Sequence, residues 1–495
     1  MTRGSRFRFN SVIWLGLVMC LPALSHTQPA PSRAARPNIL VAVADDWSWP
    51  HAGAYGDTVV KTPTLDRIAR EGVLFANAFS AAPSCTASRA AILTGQYPHR
   101  LEEGGNLWGF LPKTFVVFPD LLEQAGYQVG FTRKGWGPGQ FEPGGRTRNP
   151  AGPTFANFAT FFKNKPAGTP FSFWFGSRDP HRPYEKGSGQ ASGMRLDQIK
   201  VPPYLPDTPE IRGDLADYYV AVQRFDRDVG EILRQLAAAG ELDNTLVIMT
   251  SDNGLPFPRA KANVYDGGVH VPLAMRWPGR VKSGLSVDAF TNLSDLAPTV
   301  LEAAGLKPPA AMTGRSLLTV AAGQRDAARD RVFVERERHA NVRAGDLSYP
   351  MRAVRTRDYL YIRNLRPDRW PAGDPQLHVA VGPYGDIDDG PSKALLLSRP
   401  GDPLFTLATA KRPAEELYDL RSDPWEMVNV AGRASLASAK TTLAAMLRDW
   451  MRTTGDPRAI RDDDRWDTYP YYGPPAAAAP GRGTAAIGNT RLDRH

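Results

Sequence analysis

Alternating strands and helices predict an α/β protein: a large, mostly parallel sheet sandwiched by helices, followed by a smaller C-terminal α+β domain. Asn38 to Ala44 is an unbroken apolar run, the pattern of a strand buried on both faces. Similar runs recur at Tyr127 to Phe131, Phe171 to Phe175 and Thr245 to Thr250, with helical stretches between them. After about residue 325 the texture changes to short strand-like segments that follow one another directly.

In chain order, the first segment is a leader. Arg3, Arg6 and Arg8 precede a mostly apolar stretch from Val12 to Leu24, and Ala23-Leu24-Ser25 offers small residues for cleavage. Residues 1–25 are therefore expected to be a signal peptide, with the protein exported to the periplasm or secreted. No membrane span is expected after signal cleavage, and an uncleaved anchor is the alternative. Residues 26–36, rich in Pro and Ala, read as a linker. The first domain is expected over 37–325. In it a helix from Pro63 to Arg70 turns Leu65, Ile68 and Ala69 inward and stops at Gly72, and a long helix from about Pro209 to Ala239 is closed by Gly240. The second domain, 326–466, is expected to hold antiparallel strands at Arg331 to Glu335, Met351 to Arg355 and Tyr359 to Arg363, with a helix near Leu436 to Arg452. Residues 467–495 lack periodicity and are expected to form a tail that is disordered or draped over the surface.

The net charge is +9 over 495 residues, and leader removal takes away three of the arginines. The remaining excess is mild and fits an anionic substrate. No basic helix, zinc finger or RNA-binding signature accompanies it, so no nucleic acid partner is expected. Of the two cysteines, Cys20 lies in the apolar core of the leader. Cys85 is then left without a partner in an exported chain, an unusual state for a thiol.

In a doubly wound sheet, ligands bind beyond the carboxyl ends of the strands. The residues there are Asp45-Asp46 after the first strand, Lys134 after the second, Asp179-Pro180-His181 after the third and Ser251-Asp252-Asn253 after the fourth. Oxygen ligands without a Cys/His cluster suit a hard cation, Ca²⁺ or Mg²⁺, rather than zinc. Adjacent carboxylates repel unless a cation lies between them. Lys134, His181 and Lys261 would then face an anion held against the metal.

These residues sit in motifs that resemble those of the type I sulfatases of the alkaline phosphatase superfamily, from about Asn38 to Ala431. Cys85-Thr86-Ala87-Ser88-Arg89 is similar to the family's Cys-x-Pro-Ser-Arg modification signal, and Leu93-Thr94-Gly95 follows it. Lys261 to Gly268 resembles the segment with the sulfate-binding lysine, and Glu416 to Leu420 with Asp423-Pro424 and Glu426 resembles the C-terminal signature. Ser251 to Pro258 and Leu347 to Arg352 are most similar to the heparan N-sulfatase (sulfamidase) branch. The resemblance implies an alkaline phosphatase-like catalytic domain and hydrolysis of sulfate from a sulfated carbohydrate. It also implies that a formylglycine-generating maturation enzyme oxidises Cys85 to formylglycine, whose hydrate attacks sulfur with one hydroxyl and releases sulfate through the other. Asp45, Asp46, Asp252 and Asn253, together with the modified Cys85, would bind the cation. Arg89 would hold the modified side chain, while Lys134, His181 and Lys261 would grip sulfate.

Two departures stand out. Ala87 replaces the usual proline, and the family's Gly-Lys-x-His becomes Arg133-Lys134-Gly135-Trp136, which removes a histidine expected to assist proton transfer. His51 is the candidate replacement. Glu337, Arg338, His339 and Arg343 are candidates for recognising the sugar around the scissile sulfate, and Trp136, with Trp47, Trp49 and Trp108, could stack on sugar faces. Three rival readings stay open: an O-sulfatase acting on another polysaccharide or an aryl sulfate, a phosphoester or phosphonate hydrolase, and a non-catalytic glycan-binding relative.

Overall fold

The computed structural model describes residues 36–376 and 382–473. The expected signal peptide, the linker up to residue 35 and the tail beyond residue 473 lie outside the described residues. The main sheet has seven strands: β1 (Asn38–Ala44), β2 (Val73–Phe75), β3 (Gln128–Arg133), β4 (Phe171–Gly176), β5 (Thr245–Ser251), β6 (Leu273–Arg276) and β7 (Leu285–Val287). Their order is β3-β4-β1-β5-β6-β2-β7. All pairs are parallel except those of β6, which runs against both β5 and β2. The mostly parallel sheet is therefore present. Three of its strands, β2, β6 and β7, are too short to announce themselves as apolar runs.

The alternation of β1 explains the layering. Ile39, Val41 and Val43 enter a core on one face with Ile92 and Leu93 of α2 (Cys85–Thr94). Leu40, Ala42 and Ala44 enter the other, with Leu65 and Ile68 of α1 (Pro63–Glu71) and Leu215 and Val222 of α3 (Pro209–Ala238). Both faces of the strand are thus apolar because both are covered by helices. Pro63 and Pro209 each begin a helix, where a missing N–H costs nothing. Every residue of α2 is buried. It is rich in alanine, so the backbone of its neighbours can close in on all sides.

The second domain is a four-stranded antiparallel sheet in the order β8 (Arg331–Arg336), β9 (Met351–Thr356), β10 (Tyr359–Asn364) and β11 (Glu415–Asp419), with α4 (Ala437–Thr453) packed on one side. The sequence pattern misses β11 because Glu416 points inward, where it accepts hydrogen bonds from Tyr265, Tyr418 and Asn364. The segment Tyr469 to Tyr472 is packed: Tyr472 donates its N–H to the Trp108 carbonyl, and Arg338 donates to the Tyr469 carbonyl.

The second domain also braces the loop between β5 and β6. Arg355 of β9 binds Asp266 at 2.9 Å, Arg412 donates to Asn263 Oδ1 at 2.9 Å, and Arg259 donates to the Glu426 carbonyl at 2.7 Å. At the opposite side, β4 ends at Gly176, where an added Cβ would sit 1.6 Å from the Lys134 carbonyl oxygen. That close approach sets the position of Lys134. Gly176→Ala is accordingly expected to lower stability by about 3 kcal/mol, read by urea or thermal denaturation; an unchanged midpoint would show that the strand ends can separate freely.

Candidate active site

The chain leaves β1 at Ala44 and turns sharply at Asp45 and Asp46. Asp46 has φ of +76°, Arg133 before Lys134 has +60°, and Ala262 after Lys261 has +57°. Left-handed backbone costs a non-glycine residue roughly 1–2 kcal/mol, and here it occurs at three points where the chain presents a charged side chain. The turns are zipped together: Asp252 N–H donates to the Ala44 carbonyl at 3.1 Å, and Asp46 N–H donates to Asp252 Oδ1 at 3.2 Å.

Cys85 opens α2 over this edge. Its thiol donates to Asp45 Oδ1 at 3.3 Å, and Asn253 Nδ2 donates to its Sγ at 3.7 Å. Arg89 lies one turn further along the same face of the helix. It is fully buried, donating to Asp252 Oδ2 at 2.7 Å and to the Lys134 and Gly135 carbonyls at 2.9 and 3.0 Å. Arg89 therefore holds the carboxylate and the lysine strand rather than Cys85 itself. Lys134 Nζ reaches both Asp45 oxygens at 2.6 and 2.7 Å, and Lys261 Nζ reaches Asp46 Oδ2 at 2.6 Å. His181 shares a 2.6 Å hydrogen bond between Nδ1 and the Arg182 carbonyl, which turns Nε2 to within 3.8 Å of Asp46 Oδ2.

The electrostatics follow from burial and pairing. Burial works against the charge on Asp45, yet Lys134, His181 and Arg89 hold its carboxyl well below the usual range. Burial wins at Asp252, pushed up to about 6 with Arg89 opposing. Burial and then Asp45 push the Cys85 thiol well above its ordinary value, so it is protonated here. Lys261 stays charged, since Asp388 and Asp46 outweigh its burial.

Asp45, Asp46, Cys85 and Asp252 each offer a ligand atom, all within 4.8 Å of one another. Asp46 Oδ1 is buried there without a hydrogen-bond partner. An orphaned carboxylate oxygen among three buried acids fits a hard divalent cation, and the oxygen-rich donor set fits Ca²⁺ or Mg²⁺.

The remaining sequence candidates separate. His339 lies beside the residue that precedes Cys85, its Nδ1 3.0 Å from Ser84 Oγ. His51 packs against the rings of Tyr218 and Tyr219 of α3, with Nδ1 3.4 Å from Tyr218 Oη. Burial lowers its pKa to about 4, so it is a neutral residue packed on α3. Trp136 is buried in the core on the α2 side of the sheet. Glu337 is locked to Arg352 at 2.6 Å and Arg458 at 2.9 Å inside the second domain. Arg338 serves the packed segment at Tyr469, and Arg343 binds Asp386. These five are framework residues rather than a sugar-facing set, because their polar groups are already engaged or buried.

One site residue escaped the sequence reading. Asp388 Oδ2 lies 3.2 Å from Lys261 Nζ. It belongs to Asp386-Ile387-Asp388-Asp389, an acid run that reads as an ordinary solvated stretch.

The profile of the family described as Sulfatase matches residues 37–306, and that of N-sulphoglucosamine sulphohydrolase, C-terminal, matches residues 259–376. The chain is 31% identical over 484 residues to N-sulphoglucosamine sulphohydrolase of Homo sapiens, covering 87% of this chain and 93% of the relative. It is 28% identical over 470 residues to an ulvan-active sulfatase of Formosa agariphila, covering 85% of this chain and 76% of the relative. A solved structure of BT4656 in complex with D-glucosamine-2-N,6-O-disulfate superimposes with a TM-score of 0.62 at 21% identity, over 86% of this chain and 100% of that one, a likeness of fold.

Two outcomes are expected from this geometry. A cation must displace the proton that burial keeps on Asp252. Calcium affinity should therefore rise with pH and level off above about 6, falling by about tenfold per unit below it; calorimetry across a pH series reads this, and a flat profile would remove Asp252 from the ligand set. His51→Ala should cost about 1–3 kcal/mol of stability and leave the pH profile of turnover unaltered, and a displaced profile would return His51 to the chemistry.

Proposed function

The chain belongs to the sulfatase family, and from that premise we propose that it is an exported hydrolase releasing sulfate from a sulfated carbohydrate, with N-linked sulfate on glucosamine as the favoured bond and O-linked sulfate as the alternative. The observation that carries this reading is the placement of Cys85 at the start of a wholly buried helix, 3.3 Å from Asp45, with Lys134 and Lys261 each bound to one member of the Asp45–Asp46 pair. The preference for N-linked sulfate rests on the C-terminal profile, which spans Lys261 and the strands β8 and β9, and on the human relative. No helix among the described residues is long and apolar enough to cross a membrane.

Asp45, Asp46, Asp252 and Asn253, with the side chain at position 85, would hold a Ca²⁺ or Mg²⁺ ion, whose charge stabilises an anionic oxygen at that position and the sulfate facing it. Formylglycine made from Cys85 by a maturation enzyme would supply a hydrated aldehyde, one hydroxyl to attack sulfur and the other to let sulfate go. The N-terminus of α2 favours negative charge on the attacking atom. Lys134 and Lys261 would stabilise the charge that gathers on the sulfate oxygens in the transition state. Each is already held at the cleft by a carboxylate. The hydrogen bond from His181 Nδ1 to the Arg182 carbonyl leaves Nε2 facing the cleft, where the ring would help to hold the sulfate.

Mass analysis of the peptide containing Cys85, from protein made in its native host, is expected to find the aldehyde. A thiol fully open to alkylation in active protein would overturn the reading. Cys85→Ala should lower sulfate release by at least about 1,000-fold. Aryl sulfate should be turned over faster than aryl phosphate, and the reverse order would favour a phosphoester hydrolase.

A further inference from the structure

We infer that Asp388 is a specificity-determining residue: its carboxylate accepts a hydrogen bond from a neutral donor of the sugar beside the scissile sulfate, and it excludes substrates that carry a second anionic group there. This rests on the sulfatase reading and goes beyond it, because it says which sulfated sugars the site refuses.

The position of the side chain is the first argument. Asp388, His181 and Asp46 present polar atoms within 4.8 Å of one another, and Asp388 Oδ2 is 3.2 Å from Lys261 Nζ. The floor of this group is closed, with the Lys261 side chain 1% exposed and that of Asp46 fully buried, whereas Asp388 is 19% and His181 35% exposed. Asp388 and His181 therefore stand at the mouth, where an approaching sugar must pass. Asp388 Oδ2 is itself enclosed against Lys261. The exposed remainder of the side chain is what a sugar at the mouth would meet.

The second argument is rigidity. Asp386 is clamped by Arg336 and Arg343, and its Oδ1 accepts from Ala340 N–H at 3.2 Å. Lys393 donates to the Ile387 carbonyl at 2.8 Å and to Asp389 Oδ1 at 3.0 Å. Both neighbours of Asp388 are thus held by Lys393, which fixes the backbone that presents its carboxylate. Although burial opposes it, Lys261 and His181 hold the Asp388 carboxyl down at about 2, which keeps it charged.

An anion-binding site does not need a carboxylate at its mouth, since that charge opposes sulfate itself. The arrangement makes sense as discrimination. One sulfate is held by Lys134, Lys261 and the cation, while a second anion displaced by a few ångströms meets Asp388 instead. A hydroxyl or N–H at that place meets an acceptor. Repulsion between close charges in a partly buried site supports discrimination of about 100-fold.

The test compares glucosamine N-sulfate with its N,6- and N,3-disulfated forms. It uses kcat/KM in the mature enzyme and affinity by calorimetry in a Cys85→Ala background, which binds without turning over. The parent protein should prefer the monosulfated sugar to at least one disulfated form by about 100-fold. Asp388→Asn should cut that ratio at least tenfold, chiefly by improving KM for the disulfated sugar, and Asp388→Glu should retain it. Equal ratios in the parent and in Asp388→Asn, whatever happens to the overall rate, would overturn the inference and leave Asp388 as a tether for Lys261. Failure of the parent to bind or cleave any of the three sugars would instead overturn the glucosamine reading, and this inference with it.

Discussion

Repulsion among three buried carboxylates is the constraint that organises this protein. Asp45, Asp46 and Asp252 lie at adjacent strand ends with almost no water to screen them. Unpaired, such a cluster would protonate or open. Each acid is instead bound to its own cation: Asp45 to Lys134, Asp46 to Lys261 and Asp252 to Arg89. Lys134 and Lys261 would also meet sulfate. The site thus stays folded through pairs that are also its chemical equipment, and the left-handed turns at Asp46, Arg133 and Ala262 are tolerated because these pairs hold them.

The second domain supplies the other half of the restraint. Its own centre is a buried charge lattice in which Arg352 meets Glu335, Glu337 and Asp456 with no side-chain exposure. A lattice of this kind is costly to desolvate and very costly to break. It gives the antiparallel sheet a fixed geometry from which Arg355 and Arg412 reach across to the Lys261 loop and Asp386 aligns the mouth of the cleft. Rigidity at the site is thus borrowed from a sheet that contributes few groups to it.

Much of this was legible in the sequence, for physical reasons that differ by element. The parallel core strands at Asn38–Ala44 and Thr245–Ser251 are apolar on both faces and read directly, as did the helix ends at Pro63 and Pro209. The acids and Lys134 were found because strand order places their loops at one edge. Asp388 was not found, since an acid in a loop looks the same whether it faces water or Lys261. Glu337, Arg338 and Arg343 looked like a recognition patch, yet they are ion pairs and braces; sequence shows charge but not whether its partner is already present. His51 follows the paired aspartates closely, but the chain turns it toward the tyrosines of the long helix.

The burial of α2 has a consequence for chronology. Cys85 is 2% exposed, and its neighbours Thr86 and Ala87 are as deeply enclosed. No second protein can close around that segment once the helix is seated. Were Cys85 oxidised by another protein, as proposed above, that step would come before folding, and the fraction of competent molecules would be set at biosynthesis. Residue 87 would matter in that light as part of the extended peptide such an enzyme reads. Its place in the finished fold, against helix and sheet, is a separate matter.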